Sequence, residues 1–407
     1  MPKMSASPSF DGLIGRAVDR RTLLVGAAGT VVAAGLSGPA GALGALARGR
    51  PTVRFDPALA HRLQAILRTA LHDPSMHAPG AILHVDSPKL GNWTGAAGLG
   101  RVTPRVAMHP RDRFRAGSII KPFVAVVVLQ LAERGRLSLD SRLPAVTPSG
   151  TARLIPHAHG ITVRMLLGHR SGVAEWDTPD IDEYIARHPA KIWTLHEILA
   201  LAAKHPPVFA PGTGFFYSNT DYNLLGLIIE HVTGRSWRGE IARRVIAPLN
   251  LQRTYLPTPG HRSIHGDHAH GYREVNGKIV DVTRIDPSVA GAAGGGALVT
   301  TLDDLAHFLD ALFAGRLFQR RQTLREMLTL APAQSDGGLT GYGLGIEQRT
   351  LPGGIQLIGH LGTAGGYRSY IGRIRPGGAT IGFDINFEDD PTSLLLASLD
   401  AITAAQR

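Results

Sequence analysis

The chain has 407 residues, enough to bury one large core or two lobes, and with 43% hydrophobic and 18% charged residues it has the composition of a folded globular protein. It contains no cysteine, which excludes disulfides, thiolate nucleophiles and cysteine-held metals and leaves oxygen or nitrogen for any covalent chemistry. Of the net charge of +11, about +7 lies beyond Arg50; the basic residues are scattered without a DNA- or RNA-binding motif, so nucleic acid is not an expected partner, whereas mild attraction to an anionic cell envelope is.

In chain order, Asp19-Arg20-Arg21-Thr22-Leu23-Leu24 places paired arginines before an apolar, small-residue run from Leu23 to Leu36. This is the layout of a twin-arginine export signal, expected over residues 1–42 with cleavage after Ala42 and an extracellular or cell-envelope destination. An uncleaved anchor is the competing reading, but the run is shorter than the roughly 20 residues a bilayer span requires. Residues 43–54 read as a linker and 55–407 as the functional domain.

Asp56 to Leu71 has apolar residues at Leu59, Leu63, Ile66, Leu67 and Leu71, which predicts an amphipathic helix capped by Asp56. Ala81–Val85 and Trp93–Leu99 read as a strand hairpin. Ile119–Arg134 is apolar over a length too great for a strand and predicts a buried helix. Helices and loops follow to about Pro287, including Val163–Leu167, Leu195–Lys204 and Asn223–Val232. Gly291–Gly296 lacks the spacing of a phosphate loop, and Thr301 or Asp303 caps a helix through Ala314. Tyr342–Gln348, Gln356–Ile358, Tyr367–Ile374 and Thr380–Asn386 read as strands, and Leu394–Ala405 as a closing helix. The expected class is α+β, with strands and helices over 55–117 and 288–407 and a helical lobe between them over about 118–287.

Ser118-Ile119-Ile120-Lys121 puts a hydroxyl and an amine three positions apart, hence on one face of a helix. A lysine desolvated in a core can lose enough basicity to act as a base toward that serine. Taken alone, the four residues also suit an ordinary helix start with a capping serine and a solvated lysine. Tyr217-Ser218-Asn219 follows a Pro211-Gly212 turn. A phenol whose pKa is lowered by the lysine could take the serine proton and pass it to a leaving group, with Asn219 orienting a substrate amide; a packed tyrosine and a turn asparagine are the plain alternative. Gly359-His360-Leu361-Gly362-Thr363 precedes the strand from Tyr367 and could line a sheet edge where an extended substrate adds as another strand. Gly362 permits close backbone approach, and the amides of Ser118 and Thr363 could form an oxyanion hole.

The three elements Ser118-x-x-Lys121, Tyr217-x-Asn219 and His360-x-Gly362, in that order, resemble the class C β-lactamase and DD-peptidase family, as do the runs Ile161–Gly172 and Gly341–Gly345. The resemblance covers nearly everything after residue 55, is closest in texture to secreted D-alanyl-D-alanine carboxypeptidases, and implies an antiparallel sheet flanked by N- and C-terminal helices with an all-helical lobe inserted and the site between. It implies Ser118 as the acylated nucleophile, Lys121 and Tyr217 as the proton-transfer pair, and Asn219 and His360 as supporting groups. It also implies a small peptide, ester or β-lactam substrate or cell-wall peptidoglycan, no cofactor, and a monomer. Esterase, D-aminopeptidase or amidase, and β-lactamase activities share the mechanism, and a silent envelope-peptide binder is the non-enzymatic alternative. Carboxypeptidase relatives hold the substrate carboxylate with a hydroxyl after the histidine and a strand arginine. Here Leu361 and Glu347 occupy those places, with Arg349 on the same strand face as Glu347. An unpaired Glu347 would attract an amine instead. His261, His265, His268 and His270 with Asp267 match no zinc spacing and read, like His157 and His159, as surface histidines, so no metal is expected.

Overall fold

The computed structural model describes residues 53–406 except 75, 295–296, 336–337 and 377, so the export signal and nearly all of the expected linker lie outside the described residues. Helix α1 (Pro57–Ala70) opens the fold; the Asp56 carboxylate accepts the amides of Ala58 and Leu59, and Leu59, Leu63 and Leu67 form its buried stripe. Strands β1 (Gly80–Ser87) and β2 (Gly91–Arg101) make the expected hairpin, with β3 (Val106–Ala107) on its outer side. Strand β4 (Phe114–Arg115) then leads through a 3₁₀ turn at Gly117–Ile119 into α2 (Ile120–Glu133).

Every residue of α2 from Ile120 to Leu131 is buried, as a helix apolar all round requires, and the Phe123 ring stacks on Phe308 at 3.8 Å between centroids. Around α2 pack the short helices α3 (Leu143–Val146), α4 (Thr151–Leu154) and α5 (Val163–Leu167). They are followed by α6 (Pro179–Arg187), α7 (Leu195–Ala202), α8 (Asn219–Thr233) and α9 (Trp237–Ile241). Helix α8 starts four residues before the expected Asn223, because Ser218 takes extended backbone and the polar Asn219, Thr220 and Asp221, the last two buried, form its first turn. A hairpin of β5 (Tyr272–Val275) and β6 (Lys278–Asp281) closes this stretch.

Strand β7 (Val299–Thr300) pairs with β4, and the Thr301 hydroxyl caps α10 (Leu302–Phe313) by accepting the Asp304 amide. Next come α11 (Arg321–Met327), β8 (Ala331–Ser335), β9 (Leu339–Tyr342), β10 (Glu347–Thr350), β11 (Gln356–Ala364), β12 (Tyr367–Arg375), β13 (Thr380–Ile385) and α12 (Thr392–Gln406). The nine-stranded sheet has the order β3-β2-β1-β13-β12-β11-β10-β9-β8 and is antiparallel throughout. Alternation divides its side chains between two cores. Leu83, Val85, Phe383 and Ile385 pack under α1 and α12, while Ile82, Ile358 and Ile371 face α2 and α10. The fold is thus the antiparallel sheet with terminal helices and an inserted lobe that the resemblance implies, except that the lobe is not all-helical: the β5–β6 hairpin lies within it.

Two expected strands are redrawn. Tyr342–Gln348 is not a strand: Gly343 to Ile346 form a turn from β9 to β10, closed by the Gly343 amide donating to Ile346 O at 2.8 Å. Leu344 and Ile346 are buried as they would be in a strand, which is why the run imitates one. Glu347 and Arg349 do share the buried face of β10, as expected. Strand β11 runs six residues beyond Ile358, so His360 to Thr363 lie inside it, between β10 and β12.

Candidate active site

Residues 116–118 and strand β11 pack backbone against backbone. A Cβ on Gly362 would meet the Ala116 carbonyl oxygen at 2.0 Å, and one on Gly117, whose φ is +54°, would meet Thr363 O at 2.5 Å. Glycine at both positions lets the turn that carries Ser118 lie on the strand. Ser118 is half-buried at the mouth of α2, and Lys121 follows one turn later, wholly buried.

Lys121 Nζ lies 2.7 Å from Ser118 Oγ, 2.8 Å from Asn219 Oδ1 and 2.5 Å from the Ala293 carbonyl oxygen. The last two atoms can only accept. A neutral amine that donates to both of them presents its lone pair to the Ser118 hydroxyl. Burial pushes Lys121 down to about 7, against the opposing pull of Glu175 and Glu347, so the neutral form is well populated near neutral pH.

The Tyr217 phenol hydrogen-bonds Ser118, and Lys121 Nζ stands 4.7 Å from the centre of its ring. Burial raises the phenol far above its ordinary range, which overrides the neighbouring cation. This corrects the expectation of a lysine-lowered phenol: Tyr217 stays protonated and is placed to give a proton. Asn219 begins α8, its amide donating to Glu175 Oε2 at 2.6 Å. Because its Oδ1 is taken by Lys121, what it can offer a substrate is its NH₂ group.

The third segment arrives with β11. His360 is buried; burial pushes it down to about 4, its Nδ1 donates to Leu361 O at 2.6 Å and its Nε2 accepts from the Tyr342 hydroxyl at 3.0 Å. Both nitrogens are engaged by the protein, so His360 supports the site from behind. Strand β10 pairs with β11 only as far as Glu347 and Gly359, which leaves the rest of β11 open on that side. The Leu361 amide points to this open side and donates to Glu347 Oε1 at 2.8 Å. By strand alternation the Thr363 amide, on an exposed residue, points the same way beside the Ser118 turn. The expectation of a sheet edge free to receive an extended substrate is thereby narrowed, since Glu347 already occupies the first position.

Glu347 and Arg349 are buried and paired, Nε to Oε1 at 2.7 Å, and the arginine together with the Leu361 amide keeps the Glu347 carboxyl below its usual range. Glu347 is therefore not the unpaired acid that would attract an amine, nor is Arg349 offered to a carboxylate. The histidine-rich stretch lies elsewhere: His270 contacts Asp281 at 2.6 Å and His268 stacks on His270. Among the described residues no three His, Cys, Asp or Glu side chains are grouped to hold a metal. Sequence reasoning missed the Ala293 carbonyl, which is backbone, and Glu175, which no motif marks.

The Beta-lactamase family profile matches residues 63–394. The chain belongs to the Beta-lactamase family. Among solved members, the chain is similar to the D-stereospecific amidohydrolase from Streptomyces sp., at 32% identity and a TM-score of 0.73, over 83% of this chain and 98% of that one. Penicillin-binding protein 4 of Amycolatopsis lactamdurans is 28% identical over 326 residues, 75% of this chain and 80% of that protein. Protein flp of Staphylococcus aureus is 29% identical over 234 residues, 57% of this chain, and the chain spans about half, 45%, of its length. The matched family region holds all three segments that meet at Ser118.

Proposed function

We propose that this Beta-lactamase family protein is an exported serine hydrolase that cleaves amide bonds of D-amino acid residues through an acyl-enzyme. The observation that carries the reading is the Lys121 amine, 2.7 Å from Ser118 Oγ and held on its other sides by two obligate acceptors. Lys121 takes the Ser118 proton as Oγ bonds to the substrate carbonyl carbon. The amides of Ser118 and Thr363 receive the oxyanion. Tyr217 protonates the leaving nitrogen as the C–N bond breaks, and the Lys121 ammonium returns a proton to the phenolate; a water then repeats the sequence to free Ser118.

Within this chemistry, trimming of terminal D-alanine from peptidoglycan peptides is one form, and esters and β-lactams are substrates of the same machinery. The closed Glu347–Arg349 pair, with Leu361 where a hydroxyl would be needed, leaves a terminal carboxylate without its expected partners, which favours D-amino acid amides over carboxylate-ended peptides. The likeness to a D-stereospecific amidohydrolase supports the same choice. The twin-arginine layout supports delivery to the envelope in a folded form.

A fluorescent penicillin or a fluorophosphonate tests the nucleophile: the wild type is expected to label once per chain and Ser118→Ala not at all. Labelling that survives the substitution removes Ser118 from its role. In kinetics on matched D-peptides, amide-ended substrates are expected to turn over faster than carboxylate-ended ones, and preference for the free carboxylate would overturn the substrate assignment.

A further inference from the structure

Ile161–Gly172 contains a histidine that the hydrolytic scheme leaves unused. His169 is fully buried beneath Tyr217 and holds the tyrosine segment at three points. Its carbonyl accepts the Phe216 amide at 3.0 Å, and its Nδ1 accepts the Ser218 amide at 3.2 Å, so the residues on both sides of Tyr217 are tied to it. Its ring lies against the Tyr217 ring, 4.4 Å between centroids and 36° from parallel. The cage is completed by Tyr222 and Tyr342 at 5.2 and 4.9 Å.

His169 is poorly arranged for stability alone. Its φ of +56° is unusual for a residue with a Cβ, and Nε2 is buried without a hydrogen-bond partner. Such costs persist where the surroundings need the geometry. Asp221, in the first turn of α8, sets the ring from the other side: Oδ2 is 3.2 Å from Nδ1, and Oδ1 accepts the Ser171 hydroxyl at 2.5 Å. Since Nδ1 accepts the Ser218 amide, the ring proton belongs on Nε2 and the facing Asp221 carboxyl is compatible only when it donates. Burial agrees, holding Asp221 well above the carboxylate range and His169 well below the imidazole range. The pair is neutral, so it fixes the phenol without placing a charge under Lys121.

We infer that His169, braced by Asp221, is a positioning residue that aims the Tyr217 hydroxyl at Ser118. The inference rests on the proposed hydrolase reading and deepens it. Its test is a double-mutant cycle of His169→Phe and Tyr217→Phe on a D-amino acid p-nitroanilide, with acylation by fluorescent penicillin followed in parallel. The Tyr217→Phe enzyme is expected to lose on the order of 100-fold in kcat, as removal of a proton-transfer group does. His169→Phe, which keeps a ring but loses the Nδ1 acceptor, is expected to lose about 10- to 50-fold in kcat with KM within about threefold, and to add less than about threefold to the Tyr217→Phe loss. His169→Gln, which restores a side-chain acceptor for the Ser218 amide, is expected to recover most of the rate, and His169→Leu, which also removes the acceptor, takes the place of His169→Phe in the cycle if that variant does not fold. Fully additive losses, or a His169→Phe enzyme with wild-type kcat, overturn the inference. A wild type that labels at Ser118 but shows such additivity leaves the hydrolase reading standing, whereas a wild type that neither labels nor turns over substrate overturns both.

Discussion

Lys121 meets two oxygens that can only accept and one hydroxyl that can donate, at a fully buried position, and that combination determines which way its lone pair faces. Below about pH 7 the ammonium predominates and has no lone pair; above it the free amine does. The sign is therefore a rise in kcat/KM with pH, about tenfold from pH 6 to pH 8 for a single group of this pKa. His360, pushed down to about 4, and Tyr217, pushed up, do not titrate in that window. A pH–rate profile measured from 5.5 to 9 checks this, and a flat profile would show that Lys121 is not the base. The same residue marks a limit of reading motifs: spacing puts amine and hydroxyl side by side, but only the wrapped core shows that burial, rather than the lysine charge, governs the tyrosine.

Strand β11 supplies the wall opposite the nucleophile, and its fit depends on two missing side chains. With the Ala116 carbonyl 2.0 Å from where a Gly362 Cβ would stand, Gly362→Ala must push the strand off the Ser118 turn. The expected result is a loss of on the order of 100- to 1,000-fold in kcat, the size seen when an oxyanion donor is displaced, together with a lower melting temperature. A variant with wild-type kcat would show that the Thr363 amide is not a donor to the reaction. The elements themselves were legible wherever period and punctuation agreed, as in α1 with its Asp56 cap, the β1–β2 hairpin and the buried α2. Legibility failed at Tyr342–Gln348, where a turn buries Leu344 and Ile346 as deeply as a strand would. It failed again at β11, where His360, Leu361 and two glycines disguise a strand whose stability comes from its neighbours' ladders and not from its own propensity.

Across the whole molecule, the first and last segments meet at the centre of the sheet, where β1 pairs with β13 and α1 lies with α12 on one face. Such a sheet closes only after its C-terminal strands exist, which suits an export route that accepts folded cargo. Replacing Arg20 and Arg21 together by lysine is expected to leave the full chain inside the cell, in a form that still reacts with the penicillin probe; cell fractionation measures it, and unchanged export would dismiss the twin-arginine assignment. The overall class could be read from three short motifs in order, because their chemistry demands convergence. The supports at Ala293, Glu175 and Asp221 could not, because a carbonyl and two carboxylates become informative only once the chain has brought them near an amine.

The helix that begins just after Ser118 is also the one most completely enclosed, with twelve consecutive residues out of reach of solvent. The proposed nucleophile and the scaffold are consequently one object. Heat or denaturant has no way to slacken the reactive corner while sparing the interior, so loss of turnover and loss of the native state should trace a single curve, and an enzyme that still labels is an enzyme whose centre is intact.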